Sequence, residues 1–279
     1  MPAAVNANTK NWCNMSPYQY IYGPVFSWRL GRSLGIDPLS AKEKICNFDC
    51  IYCQLGRTKQ LVHERQVFVE TADLIGEINA LPEIEIDCLT FSGRGEPTLA
   101  KNLGEMIRAL RQVRKEKIAV ITNSTFMGSL AVQDDLSWAD IVMAKLDAGS
   151  QEMLGKIGGT TAGVRLEDIL QGLRNFRKKF SGHLALQIMF IEQNKKYAPQ
   201  MAQIAHTIGA DEIQINTPLR ACASRPLSRR EMKNITACFF GLPTVSVYDT
   251  PQDIVEPMDR LSAVRRHGQF RKLNRSFNK

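Results

Sequence analysis

Short apolar runs alternate with amphipathic stretches through the middle of the chain, and this alternation limits the possible folds more than any other feature. The runs are too short and too rich in β-forming residues to be helices. They predict strands at Cys88–Ser92, Ile118–Asn123, Ile141–Leu146, Leu184–Phe190 and Glu212–Asn216. The amphipathic stretches predict helices at Thr71–Ala80, Leu103–Arg114, Arg165–Phe180, Pro199–Ile208 and Ser228–Phe240. Alternating strands and helices indicate an α/β fold, with a parallel sheet and helices packed outside it.

Composition excludes several classes of protein. The chain's length of 279 residues predicts one large α/β domain or a domain with a short extension. The hydrophobic content of 44% is ordinary for a globular protein. No apolar run approaches the roughly 20 residues that a membrane span needs. The seven cysteines are an odd number, and without a secretory leader they favour a reduced, cytoplasmic setting over a disulfide framework.

Cys46, Cys50 and Cys53 lie within eight residues of the sequence. They supply three thiolates where a closed metal site usually takes four ligands, so one coordination position stays open. Because iron–sulfur clusters are held by cysteine thiolates, we expect a 4Fe-4S cluster whose fourth iron receives a non-protein ligand. The alternative is a structural zinc site closed by a fourth ligand such as His63 or Cys88. The four histidines show no spacing typical of a metal site.

Polar or glycine-rich segments follow four of the predicted strands. They are Ser92–Leu99, Thr122–Ser124, Lys145–Ala148 and Thr217–Arg220. A parallel barrel carries its chemistry on the loops after its strands, so we expect these segments to surround one site. The two glycines of the first segment let the backbone approach a ligand closely, and Glu96 can accept hydrogen bonds from an ammonium group.

The cysteine spacing, with an aromatic residue before the last cysteine, resembles the signature of the radical S-adenosylmethionine superfamily. In that superfamily the open iron chelates the amino and carboxylate groups of S-adenosylmethionine. The reduced cluster cleaves the sulfonium to methionine and a 5'-deoxyadenosyl radical, which abstracts a hydrogen from a substrate. The resemblance therefore implies a radical enzyme that needs an external electron donor of the flavodoxin or ferredoxin type.

Further motifs resemble a narrower group, the wyosine-synthase-like iron–sulfur oxidoreductases. They are Gly23–Asp37, Cys53–Arg57, Phe91–Thr98, Leu146–Ala148 and Gln214–Pro218. This resemblance implies a partial (β/α)6 TIM-like barrel over residues 21–230. Residues 1–20 would form a short N-terminal extension, and residues 231–279 a C-terminal extension with a further strand at Thr244–Tyr248.

The same resemblance assigns site residues. The implied cofactor-binding residues are Tyr52, Ser92, Gly93, Arg94, Gly95, Glu96, Asn123, Asp147 and Asn216. Glu96 would face the amino group of the methionine moiety, and Tyr52 would lie near the adenine. On position alone, Lys42, Lys44 and Lys145 are candidates for a catalytic lysine. Cys222 is a candidate catalytic hydrogen-atom donor at the mouth of the barrel.

Two departures from the wyosine pattern bear on the substrate. The tRNA wyosine synthases carry further upstream cysteines that build a second cluster, whereas this chain has only Cys13 there. Trp28 stands where relatives usually have an arginine, which would reshape the mouth of the site. The absence of a second cluster favours a second hypothesis, a radical enzyme that acts on a small molecule or a peptide. A non-catalytic zinc or RNA-binding module is a third.

The net charge of +8 is concentrated at the C-terminus. The last fifteen residues contain no acid and the basic residues Arg265, Arg266, Arg271, Lys272, Arg275 and Lys279. A basic tail can neutralise phosphates, and with the wyosine-like resemblance it favours a tRNA base as substrate; the alternative is a solvated terminus without a ligand. A second basic cluster would meet an anionic substrate or solvate the start of a helix. It consists of Arg220, Arg225, Arg229 and Arg230.

Overall fold

Eight strands form one continuous sheet in the computed structural model, which describes residues 18–159, 163–250 and 255–268. The strands are Ile21–Ser27 (β1), Gly31–Ile36 (β2), Cys88–Phe91 (β3), Lys117–Thr122 (β4), Ile141–Lys145 (β5), His183–Met189 (β6), Glu212–Asn216 (β7) and Thr244–Ser246 (β8). They lie side by side in chain order. β1 pairs antiparallel with β2, and every later neighbour is parallel. The sheet curls into a half-barrel, which confirms the predicted partial TIM-like barrel.

Helices follow the parallel strands and bury their apolar faces against the outside of the sheet. They are Thr71–Asn79 (α1), Leu103–Val113 (α2), Leu130–Ser137 (α3), Gln151–Gly158 (α4), Leu166–Lys179 (α5), Ala198–Ile208 (α6), Arg229–Ala237 (α7) and Arg260–His267 (α8). In α5, for example, Ile169, Leu173 and Phe176 are buried on one face. Among the described residues, no helix is long and apolar enough to cross a bilayer.

The predicted strands and helices are confirmed with small shifts at their ends, and five elements are additional. The sequence analysis missed β1, β2, α3, α4 and α8. The strands of the β1–β2 hairpin were not predicted, because the glycines in this segment suggest turns. Gly35 nevertheless lies in a strand, where a Cβ would stand 2.1 Å from the Tyr22 ring on the neighbouring strand. The glycine therefore makes room for an aromatic side chain between paired strands.

The C-terminal part of the chain continues the barrel. The expected boundary at residue 230 falls inside α7, and β8 pairs parallel with β7. Helix α8 packs against β1, where Met258 N donates a hydrogen bond to Gly23 O at 2.8 Å. Because β1 runs antiparallel to β2, its first residues lie at the carboxyl ends of the parallel strands. Helix α8 is thereby brought to the mouth of the barrel, while most of the expected 1–20 extension lies outside the described residues.

A small second apolar cluster lies near the amino ends of the strands. It consists of Leu30, Cys88, Ala119, Met143 and Ala185. Cys88 is the first residue of β3 and is buried, and burial raises the pKa of its thiol to about 11. This cysteine is therefore a small apolar core residue at the end of the barrel away from Cys46.

Candidate functional site

A cavity of about 290 Å³ opens at the carboxyl ends of the parallel strands. The cysteine loop and the segments after β3, β4 and β7 form its walls, as the strand-end rule predicted. The predicted residues that line it are Cys46, Cys50, Tyr52, Cys53, Ser92, Gly93, Gly95, Glu96, Asn123, Lys145 and Asn216. Asp147 lines a smaller adjoining pocket, whereas Arg94 and Cys222 line neither.

The loop that carries the three cysteines is anchored on two neighbouring elements. Just before Cys46, the backbone of Ile45 forms a parallel bridge with Gly95. Further along, Asp49 N donates to Gly158 O at 2.7 Å, and Ile51 N donates to the same end of α4 at 3.0 Å. A helix leaves its last carbonyls without internal partners. The cysteine loop therefore caps α4, one of the helices that the sequence analysis missed.

The three thiols face one cavity and influence one another. Burial raises the pKa of Cys46 and of Cys50 to about 12, and the charges of neighbouring groups, including the other cysteines, add to the shift. A bound iron cation reverses this preference, because it stabilises the thiolate. Among the described residues, no three His, Cys, Asp or Glu side chains converge on a single ion. A four-iron cluster binds its thiolates at different irons, so this donor set fits a cluster.

Gly93 and Gly95 are required by contacts within the protein. Gly93 has φ +112°, and a Cβ there would lie 2.5 Å from Asp37 Cγ. A Cβ on Gly95 would lie 1.5 Å from Ile45 O. Both glycines also line the cavity. Their small size therefore lets the glycine loop pack directly against the cysteine loop at the edge of the cavity.

The Glu96 carboxylate is buried and accepts four hydrogen bonds. Its Oε1 accepts from Thr98 N at 3.0 Å, from Thr98 Oγ1 at 2.7 Å and from Thr122 Oγ1 at 2.7 Å. Among the described residues, its Oε2 accepts from Asn123 N alone, at 2.6 Å. Burial raises the pKa of Glu96, and these hydrogen bonds act in the opposite direction. Since a carboxylate oxygen can accept more than one hydrogen bond, Oε2 can also accept from an ammonium group in the cavity.

Three side chains form a closed hydrogen-bonded ring beside Cys46. Asn123 Nδ2 donates to Asn47 Oδ1 at 2.7 Å, Asn47 Nδ2 donates to Thr125 Oγ1 at 2.6 Å, and that hydroxyl donates back to Asn123 Oδ1 at 2.7 Å. The ring holds Asn123 Nδ2 at 3.8 Å from Cys46 Sγ. Hydrogen bonds to the sulfurs tune the potential of an iron–sulfur cluster. The sequence analysis assigned no role to Asn47 or Thr125, because neither follows a recognised spacing.

Asp147 connects the cysteine loop to β5. Its Oδ2 accepts a hydrogen bond from the Tyr52 hydroxyl and lies 3.2 Å from Lys145 Nζ. Its Oδ1 accepts from Met189 N at 2.7 Å. Burial, and next the charge of Asp147, raises the pKa of Tyr52 well above 10, so the tyrosine remains a donor. The carboxylate therefore orients Tyr52 and Lys145, both of which line the cavity.

Comparisons with known proteins agree with this arrangement. The sequence pattern of the Radical SAM superfamily matches residues 44–205, more than half of the chain. The chain belongs to this superfamily. A UPF0026 protein of Synechocystis is similar, with 40% identity over 210 residues that cover 75% of this chain and 78% of the relative. The protein is thus a radical SAM enzyme, a class that uses a 4Fe-4S cluster and S-adenosylmethionine.

Solved structures share the radical SAM barrel at low sequence identity. SuiB of Streptococcus suis bound to S-adenosylmethionine has a TM-score of 0.57 and 13% identity, and the match covers 73% of this chain and 48% of SuiB. The structure of anSMEcpe with bound AdoMet has a TM-score of 0.57 and 16% identity, covering 77% and 64%. This chain therefore spans about half of SuiB and shares its fold. The wyosine-like subgroup stays a prediction.

Three further predicted cofactor residues occupy different places around the radical SAM cavity. The Ser92 hydroxyl shares a hydrogen bond of 2.6 Å with the Tyr22 hydroxyl. Arg94 uses its carbonyl to accept from Ile45 N at 2.9 Å, so it joins the two loops through its backbone. Asn216 lines the cavity, and its Oδ1 accepts from the next backbone amide at 2.8 Å.

The candidates for a reactive side chain, three lysines and Cys222, also lie in different places relative to the cavity. Cys222 Sγ donates to Ser224 O at 3.3 Å, and Ser224 Oγ donates to Ile51 O at 3.1 Å. Ser224 therefore joins this segment to the cysteine loop, and Cys222 itself does not line the cavity. Lys44 is buried and lines the cavity with Lys145, whereas Lys42 is exposed.

The residues expected to close a zinc site lie elsewhere. His63 is exposed and does not line the cavity. Cys88 begins β3, whereas the thiols of the cysteine loop face the cavity beyond the carboxyl end of that strand. Neither residue stands beside the three thiols.

A further wall of the cavity is formed by three arginines, Arg29, Arg220 and Arg266, together with the His267 ring. The sequence analysis placed the segment that ends at Arg220 at the site, but it did not predict that Arg29, Arg266 and His267 join it there. Arg266 Nε lies 3.1 Å from the buried Asp37 carboxylate, so this arginine belongs to the barrel and not to a solvated tail. Burial, and then the charges of Arg220 and Arg29, lowers the pKa of His267 to about 3. These residues come from distant parts of the chain, so no local pattern brings them together.

Proposed function

We propose that Cys46, Cys50 and Cys53 hold a 4Fe-4S cluster and that the adjoining cavity holds S-adenosylmethionine. One observation carries the proposal: the three thiols and the Gly93–Glu96 loop line one cavity, and the bridge between Ile45 and Gly95 joins their two loops directly. When both are bound, the cluster, reduced by an external donor, would supply one electron to the sulfonium of S-adenosylmethionine, giving methionine and a 5'-deoxyadenosyl radical that abstracts hydrogen from a substrate.

The protein's own residues bind and orient. Glu96 Oε2 accepts a hydrogen bond from the ammonium group of the methionine moiety. Asn123 presents its side-chain amide to Cys46 Sγ, and the Asp147 carboxylate orients Tyr52 at the wall of the cavity. An electron donor of the flavodoxin or ferredoxin type supplies the reductant from outside. Free thiols at the described cysteines suit the reducing cytoplasm.

Anaerobic reconstitution tests this proposal. Wild-type protein should bind about four irons and four sulfides, and after reduction with dithionite it should convert S-adenosylmethionine to 5'-deoxyadenosine. A variant with Cys46, Cys50 and Cys53 all changed to alanine should bind almost no iron. Cys238→Ala is the matched control, because this thiol is exposed and does not line the cavity. One tightly bound zinc and no sulfide in the wild type would contradict the proposal.

Two substrate classes follow from different observations. An RNA base is supported by the wyosine-like motifs and by the basic tail, of which Arg271, Lys272, Arg275 and Lys279 lie outside the described residues. A small molecule or peptide is supported by the missing upstream cysteines, since only Cys13 stands where the wyosine synthases carry the ligands of a second cluster. Mass spectrometry of total tRNA and of metabolites from a deletion strain distinguishes them, since only one pool should change.

A further inference from the structure

We propose that Asn47 and Thr125 are positioning residues for the iron–sulfur cluster: they direct the Asn123 amide at Cys46 Sγ, and this contact raises the reduction potential of the cluster. The inference rests on the proposed function, because it takes the three thiols as cluster ligands. It adds two residues that do not line the cavity, and it gives the direction in which they change the cluster.

The orientation of the Asn123 amide is set by a donor that has no alternative. The backbone N–H of Thr125 donates to Asn123 Oδ1 at 3.1 Å. Because an N–H cannot accept a hydrogen bond, the atom that faces it is the carbonyl oxygen, and the NH2 group faces the other way. On that side lie Asn47 Oδ1 at 2.7 Å and Cys46 Sγ at 3.8 Å. The two hydrogens of the NH2 group therefore have one acceptor each.

The same reasoning sets the orientation of Asn47. Its Oδ1 accepts from Asn123, so its own Nδ2 donates to Thr125 Oγ1 at 2.6 Å, and that hydroxyl donates its hydrogen to Asn123 Oδ1 at 2.7 Å. Asn47 is only 1% exposed, so bulk water does not compete for its groups. A buried hydrogen-bond network whose members all have partners specifies one arrangement. The ring therefore excludes the rotated amide, whose carbonyl oxygen would face the thiolate.

The turn that carries Asn123 and Thr125 is strained. Ser124 between them has φ +71°, a left-handed conformation that is costly for a residue other than glycine. Its buried Oγ has no hydrogen-bond partner within the part of the chain that the structure describes. Such strain concentrates at functional sites, where the surrounding contacts hold it. Here the left-handed residue turns the chain so that the Thr125 N–H returns to the Asn123 side chain.

A hydrogen bond to a cluster sulfur acts unequally on the two oxidation states. Reduction adds negative charge to the cluster and its thiolates, and an N–H dipole directed at the sulfur stabilises that charge, so the potential rises. Cys46 Sγ also accepts from Phe48 N at 3.4 Å, a donor that belongs to the backbone of the cysteine loop. The Asn123 amide is a second donor, and its direction depends on side chains.

A second candidate role for Asn123 is a contact with S-adenosylmethionine, because this residue also lines the cavity. The two roles change different quantities. Donation to Cys46 Sγ changes the potential of the cluster when no cofactor is bound, whereas a contact with S-adenosylmethionine changes the affinity for it. The hydrogens of the amide are already directed at Asn47 and Cys46, which favours the first role.

Redox titration of the reconstituted protein without S-adenosylmethionine, followed by EPR of the reduced cluster, tests the inference. Asn123→Ala removes the donor, so at a fixed potential the ratio of reduced to oxidised cluster should fall about tenfold, equal to a potential about 59 mV lower. Asn47→Ala removes the acceptor that directs the amide and should shift the potential the same way.

Two substitutions of Thr125 isolate the hydroxyl. Thr125→Val removes it and should lower the potential by less than Asn123→Ala, because the backbone N–H still holds Asn123 Oδ1. Thr125→Ser keeps the hydroxyl and should have the potential of the wild type. Asn102→Ala is the control, because this buried amide donates to Val69 O at 3.0 Å and does not line the cavity. It should lower stability without moving the potential.

Iron and sulfide analysis of each protein separates this test from that of the proposed function. Equal potentials in the wild type, Asn123→Ala and Thr125→Val, with full iron and sulfide content, would contradict the inference and leave the cluster assignment intact. So would a loss of affinity for S-adenosylmethionine in Asn123→Ala at an unchanged potential. A wild type without a cluster would contradict both proposals. If the alanine variants take up no cluster, equal potentials in Thr125→Val and Thr125→Ser overturn the inference.

Discussion

At the scale of single residues, Glu96 is the acid on which the polar contacts of the cavity converge. Its environment combines two opposing effects: burial favours the neutral acid, and four donors favour the carboxylate. An ammonium group in the cavity adds to the second effect. The carboxylate is therefore arranged so that ligand binding and ionisation support each other.

Glu96→Gln should weaken binding of S-adenosylmethionine. The amide replaces one acceptor oxygen with a donor that would face Asn123 N or the Thr98 and Thr122 donors. A hydrogen bond to a charged group is worth about 1.5–3 kcal/mol, so we expect roughly a tenfold or greater loss of affinity by calorimetry and a lower melting temperature. Glu105→Gln on α2 is the control, since that side chain is exposed. An unchanged affinity would remove Glu96 from the cofactor site.

His267 predicts a dependence of stability on pH. The groups that face it are cationic or neutral: Arg220 at its Nε2, Arg29 nearby and the Tyr22 ring with centroids 6.3 Å apart. Its pKa falls from 6.5 to about 3 on folding. Between these values the unfolded chain binds a proton that the folded chain does not, so stability is present above 6.5 and is lost as the pH falls through this window.

The free energy of unfolding should fall by about 1 kcal/mol between roughly pH 7 and pH 5.5 through His267 alone. His267→Gln keeps an acceptor for Arg220 and does not titrate, so chemical denaturation of this variant should show a flatter pH dependence. His206→Gln on α6 is the control, because this histidine is exposed. The same pH slope in His267→Gln and in the wild type would contradict the burial of a neutral imidazole.

At the scale of elements, the site depends on how the glycine loop packs against the cysteine loop. Ile45 pairs with Gly95, Ile45 N donates to Arg94 O, and Glu96 N donates to Ile45 O at 3.1 Å. These backbone contacts place the first thiol beside the cofactor loop. The same cysteine loop caps α4, so the glycine loop and the end of α4 together hold it.

Gly95→Ala should separate these loops. A Cβ at this position would stand 1.5 Å from Ile45 O, a backbone atom, so the bridge must open. We expect a loss of about 1–3 kcal/mol of stability, the usual cost of overpacking, together with a lower iron content after reconstitution. Gly76→Ala in α1 is the control, because a Cβ there has no neighbour within 4 Å. That change should leave the iron content intact, and equal iron in both variants would contradict the role of the packing.

At the scale of the whole molecule, the C-terminal segment joins the barrel to the tail. α8 packs on β1, and Arg266 and His267 complete the cavity wall. A truncation after Val264 would therefore damage the cavity as well as the tail. A truncation after Gly268 removes only residues beyond the described part of the chain.

If the tail binds RNA, truncation after Gly268 should flatten the salt dependence of tRNA binding. It removes the basic residues Arg271, Lys272, Arg275 and Lys279. Each phosphate contact that is lost should lower the slope of log affinity against log salt by about 0.7–0.9. Filter binding across salt concentrations measures this slope. Equal and weak retention of tRNA by both proteins, with cofactor cleavage intact, would favour a small-molecule or peptide substrate.

The sequence by itself determined the barrel and one side of the site. Alternating strands and helices lead to a parallel sheet, and the carboxyl ends of parallel strands meet at one edge whatever the details of packing. For this reason Gly93, Glu96, Asn123 and Asn216, each at or just beyond a strand end, could be placed around one cavity in advance. The spacing of the three cysteines is equally local, so their common loop was predictable.

Only the tertiary structure decided the opposite side of the cavity. Arg29 comes from a hairpin turn and His267 from the last described helix, and they meet Arg220, whose segment after β7 the strand-end rule did place at the site. Their meeting depends on the curl of the sheet and on α8 packing against β1, and neither leaves a periodic pattern in the sequence. The same holds for Gly95, whose need for a missing Cβ is set by a carbonyl fifty residues earlier in the chain. Local sequence carries strand ends and loop spacings, whereas contacts between distant segments exist only after the chain has packed.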